Sequence, residues 1–180
     1  FGDLQRRVVH LGCRLGAAGV DVAAHVVARA HATKGGVLLA DPQRPAIIVD
    51  LGSAITVDLV SREGAFLGGV IMPGIGMSAR ALHEFTDLLP QIDVAELATP
   101  PPPLGKATIP AMRSGLFWGS VGAIRQLTGL MSDEVPGDPE LFLSGGAAGA
   151  VAGALGRPVR HVPHLTLAGI ALTARGLPTE

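Results

Sequence analysis

The chain has a single cysteine among its 180 residues, Cys13, so it can form neither an internal disulfide nor a thiolate cage around a metal. Aromatic residues make up 3% of it, with one Trp and no Tyr, and the formal net charge is −1. It therefore carries neither the basic footprint nor the stacking surface of a nucleic-acid binder, and no nucleic-acid partner is expected. Hydrophobic content is high at 48%, with a mean hydropathy of +0.43, yet no apolar run approaches the roughly 18 residues a membrane span requires. The opening FGDLQRRVVH holds Asp3, Arg6 and Arg7 and lacks the apolar centre of a signal peptide. A Gly-x-x-x-x-Gly-Lys loop is also missing, which excludes a P-loop as the nucleotide site. These absences lead to the expectation of a soluble, cytoplasmic protein in a reducing compartment, with no membrane partner. The sequence opens at Phe1 rather than Met, and reads as a fragment of a longer reading frame.

The apolar residues that are present are mainly Ala, Val and Leu, divided by 25 Gly. This length suits one core, as a single domain or as half of a two-domain enzyme. The most structured stretch runs from Ala46 to Gly74. Its β-branched runs Ala46–Val49, Ile55–Val60 and Ala65–Ile71 are separated by Gly, Ser and charged residues, the pattern of a three-stranded meander. The first turn, Asp50-Leu51-Gly52-Ser53-Ala54, sets a carboxylate at a strand end, then a glycine that lets backbone approach a ligand, then a hydroxyl. Such a turn can offer N–H groups and an Oγ to phosphate, while Asp50 suits a cation. It is equally readable as an ordinary hairpin turn.

Elsewhere the pattern alternates between helices and connectors. Val8 to Ala32 reads as helix around a break at Gly16–Gly19, with Asp21 as a helix N-cap or first-turn carboxylate. Ser78 is expected to cap a helix running to about Leu89, with Ala79, Leu82, Phe85 and Leu89 as its packed stripe and Arg80, Glu84 and Asp87 on other faces. Pro100 to Pro103 reads as a stiff connector, with a proline-recognition ligand as the alternative. Thr108 stands at the start of a further helix, about Ala111 to Met131, where its hydroxyl can act as a cap. Gly115, Gly119 and Gly122 in that helix are expected to permit close backbone packing, and Trp118 to be a packing residue. Leu141–Leu143 reads as a short strand entering Ser144-Gly145-Gly146. His161 and His164 have no third ligand nearby in sequence, so no zinc site is expected.

Four ordered segments, Asp50 to Asp58 (DLGSAITVD), Gly68 to Gly74 (GGVIMPG), Ser114-Gly115 and Ser144-Gly145-Gly146, resemble the signatures of the type III pantothenate kinase family, also called the Bvg accessory factor family. The similarity runs from about Gly19 to about Ala174. It implies an α/β, ribonuclease H-like fold of the sugar kinase, Hsp70 and actin superfamily, whose two halves close over ATP. On this reading residues 46–180 form the second half-domain, and residues 1–45 are a helical remnant of the first half plus a loop inserted from Thr33 to Pro45. The family's opening Asp-x-Gly-Asn-Thr loop, which holds Mg-ATP, has no counterpart before Asp21, so that phosphate-loop half is expected to be missing.

The resemblance also implies roles. The family's Gly-x-Asp-Arg motif falls on Gly19-Val20-Asp21-Val22, a substrate-binding segment in which Asp21 accepts the hydroxyl proton of pantothenate. Val22 replaces the Arg that would grip an anionic substrate. Gly52 and Ser53, the latter in place of Thr, fall on the ATP-phosphate turn, and Asp50 on the site of a monovalent cation, K⁺ or NH₄⁺. Gly145 and Gly146 match the adenosine-side glycines, Gly74 and the following helix line the cleft, and Thr108 contacts pantothenate, with Ala107 in place of an Asn. The implied activity is ATP-dependent phosphorylation of pantothenate by a homodimer, at the first step of coenzyme A synthesis. The alternative is a non-catalytic accessory or regulatory relative that keeps the fold.

Overall fold

The computed structural model describes residues 40–41 and 43–165. Gly19, Val20, Asp21 and Val22, the helix expected before Ala32, Cys13 and the segment after Leu165 lie outside them. Among the described residues five strands form one sheet in the order β3-β2-β1-β4-β5. They are β1 (Ala46–Leu51), β2 (Ala54–Val60), β3 (Phe66–Pro73), β4 (Glu140–Ser144) and β5 (Arg160–His161). The meander is antiparallel, β1 against β2 and β2 against β3, whereas β1–β4 and β4–β5 are parallel.

β1 has a neighbour on each edge and packed side chains on each face, which is why AIIVDL is almost continuously apolar. Side chains alternate across a strand, and the sheet accordingly has two cores. One face carries Ile47, Val49, Leu51, Ile55, Val57, Leu59, Leu141 and Leu143 beneath the helices. The other face carries Ala46, Ile48, Val60 and Phe142, with Leu165 against them. The outer strand β3 is half-covered, and Leu67 and Ile71 stay exposed.

Three helices lie over the first face. Helix α1 spans Ile75–Glu84, α2 spans Thr108–Asp133 and the short α3 spans Ala148–Ala152. On α2 the buried residues Met112, Leu116, Phe117, Val121, Ile124 and Thr128 recur at helical spacing and press on the sheet. Pro101 to Pro103 lies along α2: Trp118 Nε1 donates to the Pro101 carbonyl at 2.9 Å and Ser114 Oγ to the Pro103 carbonyl at 2.7 Å. The connector is thus bound to the domain's own helix, because proline leaves its carbonyls free to accept. Trp118 also stacks edge-on against Phe117, at 5.1 Å between ring centroids, as a packing residue would.

Several local expectations are corrected. Helix α1 begins three residues before Ser78, with Gly74 as N-cap, and Ser78 N donates to the Gly74 carbonyl at 2.9 Å. It ends at Glu84 rather than near Leu89, where Thr86 turns its hydroxyl back onto the Leu82 carbonyl. Phe85 consequently leaves the packed stripe and is 83% exposed. Among the described residues nothing packs within 4 Å of where a side chain would start on Gly115, Gly119 or Gly122. No helix among the described residues is long and apolar enough to cross a membrane.

Candidate functional site

The three glycine turns singled out in the sequence meet at one end of the sheet. Gly52 and Ser53 join β1 to β2, Gly74 follows β3, and Gly145-Gly146 follows β4; β1 and β4 run parallel, so their turns emerge side by side. The contacts are made by backbone. Gly74 N donates to the Ser53 carbonyl at 3.0 Å, and Ala147 N to the Leu51 carbonyl at 3.3 Å. A Cβ on Gly74 would overlap the carbonyl groups of Gly52 and Ser53. On Gly145, where φ is +95°, a Cβ would come within 2.5 Å of the Leu51 carbonyl and 2.6 Å of Asp50 Oδ1. Only glycine satisfies both the conformation and the approach.

Beside these turns opens a cleft of about 640 Å³. Gly52 and Ser53 form one part of its wall, Gly146, Ala147 and Ala150 another, and Ile75, Gly76, Met77 and Arg80 of α1 a third. Gly52, Ser53 and Gly146 are exposed to it rather than sealed by side chains. The first-turn N–H groups of α1 have no intrahelical acceptor, Gly74 supplies no side-chain cap, and the first turn holds no acidic residue. The dipole of α1 and these donors favour negative charge at this end of the cleft. The remaining walls, from Leu51, Val94, Leu97 and Ala147, are apolar and suit a flat ring.

Asp50 lies one residue before the cleft wall, half-buried in β1, with its side chain on the sheet face opposite Leu51. Its cross-strand partners are Thr56 on β2 and Ser144 on β4, so a carboxylate and two hydroxyls form one row across three strands. Ser144 Oγ accepts from Leu165 N at 3.3 Å. This row is an all-oxygen donor set of the kind hard cations prefer. Among the described residues no group of three His, Cys, Asp or Glu converges as a metal cluster.

The other predicted positions stand apart. Thr108 is the first residue of α2, with Ala107 as an N-cap that makes no side-chain hydrogen bond, so the Thr108 hydroxyl is not the cap. It is exposed and is not among the described residues lining the cleft. Gly19 to Val22 fall outside the described residues. Sequence reasoning missed Arg80, taken as a charge on an outward face. Arg80 lies four residues after Gly76, on the same side of α1, but only the seating of the helix shows that this side borders the cleft.

Similarities to known proteins identify the family. The model of the family "Type III pantothenate kinase" matches residues 14–129. The type III pantothenate kinase of Acidiphilium cryptum is 40% identical over 130 residues, covering 72% of this chain and 48% of the relative. That of Gluconobacter oxydans is 41% identical over 132 residues, covering 72% and 47%. The chain thus spans about half the length of the curated relatives it matches. Among solved structures, a Baf family transcriptional activator from Campylobacter jejuni superposes with a TM-score of 0.54 at 22% identity, over 73% of this chain and 58% of that one. The fold is α/β, as expected, and is shared with that structure. With the family model matching well over half of the residues, the chain belongs to the type III pantothenate kinase family.

Proposed function

We propose that the protein acts in the ATP-dependent phosphorylation of pantothenate to 4′-phosphopantothenate, as part of a cytoplasmic, homodimeric type III pantothenate kinase. The observation that carries this reading is the convergence of the Gly52-Ser53, Gly74 and Gly145-Gly146 turns on one cleft, in a chain of this family. Phosphoryl transfer needs phosphates held in place, charge offset and an oriented nucleophile. Gly52 and Ser53 hold the phosphates, while Gly145 lets Gly146 and the start of α3 lie against the adenosine. The row Thr56, Asp50 and Ser144 fits a monovalent cation, K⁺ or NH₄⁺, because all its donors are oxygen. Mg²⁺ bound with ATP would supply charge neutralisation at the phosphates. Asp21 accepts the proton of the pantothenate hydroxyl as its oxygen attacks the γ-phosphorus and ADP leaves. Gly19, Val20, Val22 and Thr108 complete the substrate side, and residues 46–180 act as the second half-domain.

A coupled ADP-release assay with pantothenate, Mg-ATP and K⁺ tests the reading. Pantothenate-dependent turnover is expected, falling about 10²- to 10⁴-fold in Asp21→Asn. Absence of turnover in the parent protein rejects it.

A second reading, a non-catalytic relative that retains the fold, is favoured by Val22 and by Ala107, which caps α2 without the side-chain bond an Asn could make. Calorimetry separates the two. A regulator binds nucleotide with no heat from pantothenate, whereas the kinase binds both.

A further inference from the structure

We infer that Arg80 is the anion-binding side chain of the cleft, gripping the phosphate chain of the bound nucleotide. The inference rests on the nucleotide reading of the cleft and adds a residue that the family motifs do not contain.

Three observations carry it. First, Arg80 is the only charged side chain among the described residues lining the 640 Å³ cleft, whose other walls are glycine, serine and apolar groups. A polyphosphate seated against Gly52 and Ser53 would otherwise meet no charged side chain on these walls, only the start of α1. Second, Arg80 is exposed and uncommitted. The ion pairs among the described residues are Arg44–Asp138, Arg62–Glu63, Arg157–Asp138 and Arg160–Glu140, and Arg80 takes part in none of them. Third, Arg80 also lines a neighbouring cavity of about 490 Å³, together with Gly76, Gln91 and Asp93, so its side chain stands on the ridge between two open spaces. Asp93 Oδ1 in that second cavity accepts from Ala95 N at 2.9 Å, capping the 3-10 turn Val94–Leu97. Arg80 borders both spaces, so its guanidinium is within reach of the cleft. A planar guanidinium presents paired N–H donors that match two phosphate oxygens, which a backbone turn alone cannot do.

The test compares the wild-type chain with Arg80→Met and Arg80→Lys, using ATP, inorganic tripolyphosphate and adenosine as separate calorimetric probes. Met keeps the length and helix propensity of the exposed position, and circular dichroism checks that each variant is folded. Arg80→Met is expected to weaken ATP and tripolyphosphate binding about 10-fold or more, with Lys restoring part of the loss and adenosine unaffected. If Arg80→Met binds both anions as the wild type does, the inference is overturned while the nucleotide reading stands. If tripolyphosphate binds in an Arg80-dependent way and adenosine does not bind, Arg80 keeps its role and the nucleotide reading falls. If the wild type binds none of the three, both fall.

Discussion

The meander contains two short polar turns of similar composition that do different work. The β2–β3 turn, Ser61 to Ala65, satisfies itself: Ser61 N donates to the Ala65 carbonyl at 2.8 Å, Gly64 N to the Ser61 carbonyl at 2.9 Å, and Arg62 pairs with Glu63 at 2.9 Å. The β1–β2 turn, Gly52 and Ser53, has one bond of its own, from Gly52 N to the Ala54 carbonyl at 3.1 Å, and is also held from outside, by Gly74 on one side and by the turn after β4 next to Leu51. Both have a glycine, a serine and a nearby acid. What separates them is distance along the chain to their neighbours. The first turn depends on residues within four positions, the second on a strand end more than ninety residues away. A turn whose backbone is packed by other backbones has its shape set by the whole sheet, and such a rigid rim can hold a ligand.

Breaking the packed turn should have the largest effect. Gly145→Ala or Gly74→Ala introduces a Cβ that overlaps backbone rather than flexible side chain. A loss of about 2–5 kcal/mol is expected, with nucleotide binding lost in any folded fraction, as read by urea melts and calorimetry. Gly64→Ala in the self-contained turn sets an alanine at a φ of +79°. It should cost about 1 kcal/mol and leave nucleotide binding unchanged, and a matching loss of binding would remove the contrast between the turns.

The smallest effect is expected at Glu63. A hydrogen bond from Ser61, one from its own backbone amide and another from Arg62 hold its carboxyl below the usual carboxylate range. A lowered folded-state pKa means that the stabilising contribution is present above the ordinary value of about 4.5 and fades as pH falls through the folded value. Because the group is fully exposed, Glu63→Gln should lower the melting temperature only slightly at neutral pH. The gap to the wild type should close in acid. A gap that widens in acid would contradict this account.

Much of the fold was legible because its signals are local. The runs Ala46–Val49 and Ile55–Val60 alternate or saturate in apolar residues as strands do, and the structure extends β1 only to Leu51 and begins β2 at Ala54. The start of α1 was misread because a serine resembles a cap wherever it falls. The actual N-cap, Gly74, is chosen by the close approach of Ser53. Phe85 looked like core by spacing, yet the chain leaves the helix at that residue. At the site, Gly52, Ser53 and Gly146 could be named from motifs, but Arg80 could not. Nothing in a helical charge pattern says which flank faces a cleft.

Composition and periodicity alone determined that the chain carries a β-meander with glycine-rich turns at its strand ends, while the motifs' resemblance to a family implied the α/β fold around it. The meander and its turns follow from side-chain volume, branching and charge over a few residues, so no knowledge of distant neighbours is needed. The tertiary structure decided that the three turns share one rim, that Asp50 stands between Thr56 and Ser144 on the far face of the sheet, and that Arg80 borders the cleft. Each of these depends on the parallel pairing of β1 with β4 or on the seating of α1 over the sheet. Such pairings between distant segments arise from the shared burial of whole faces, and no short window of sequence encodes them.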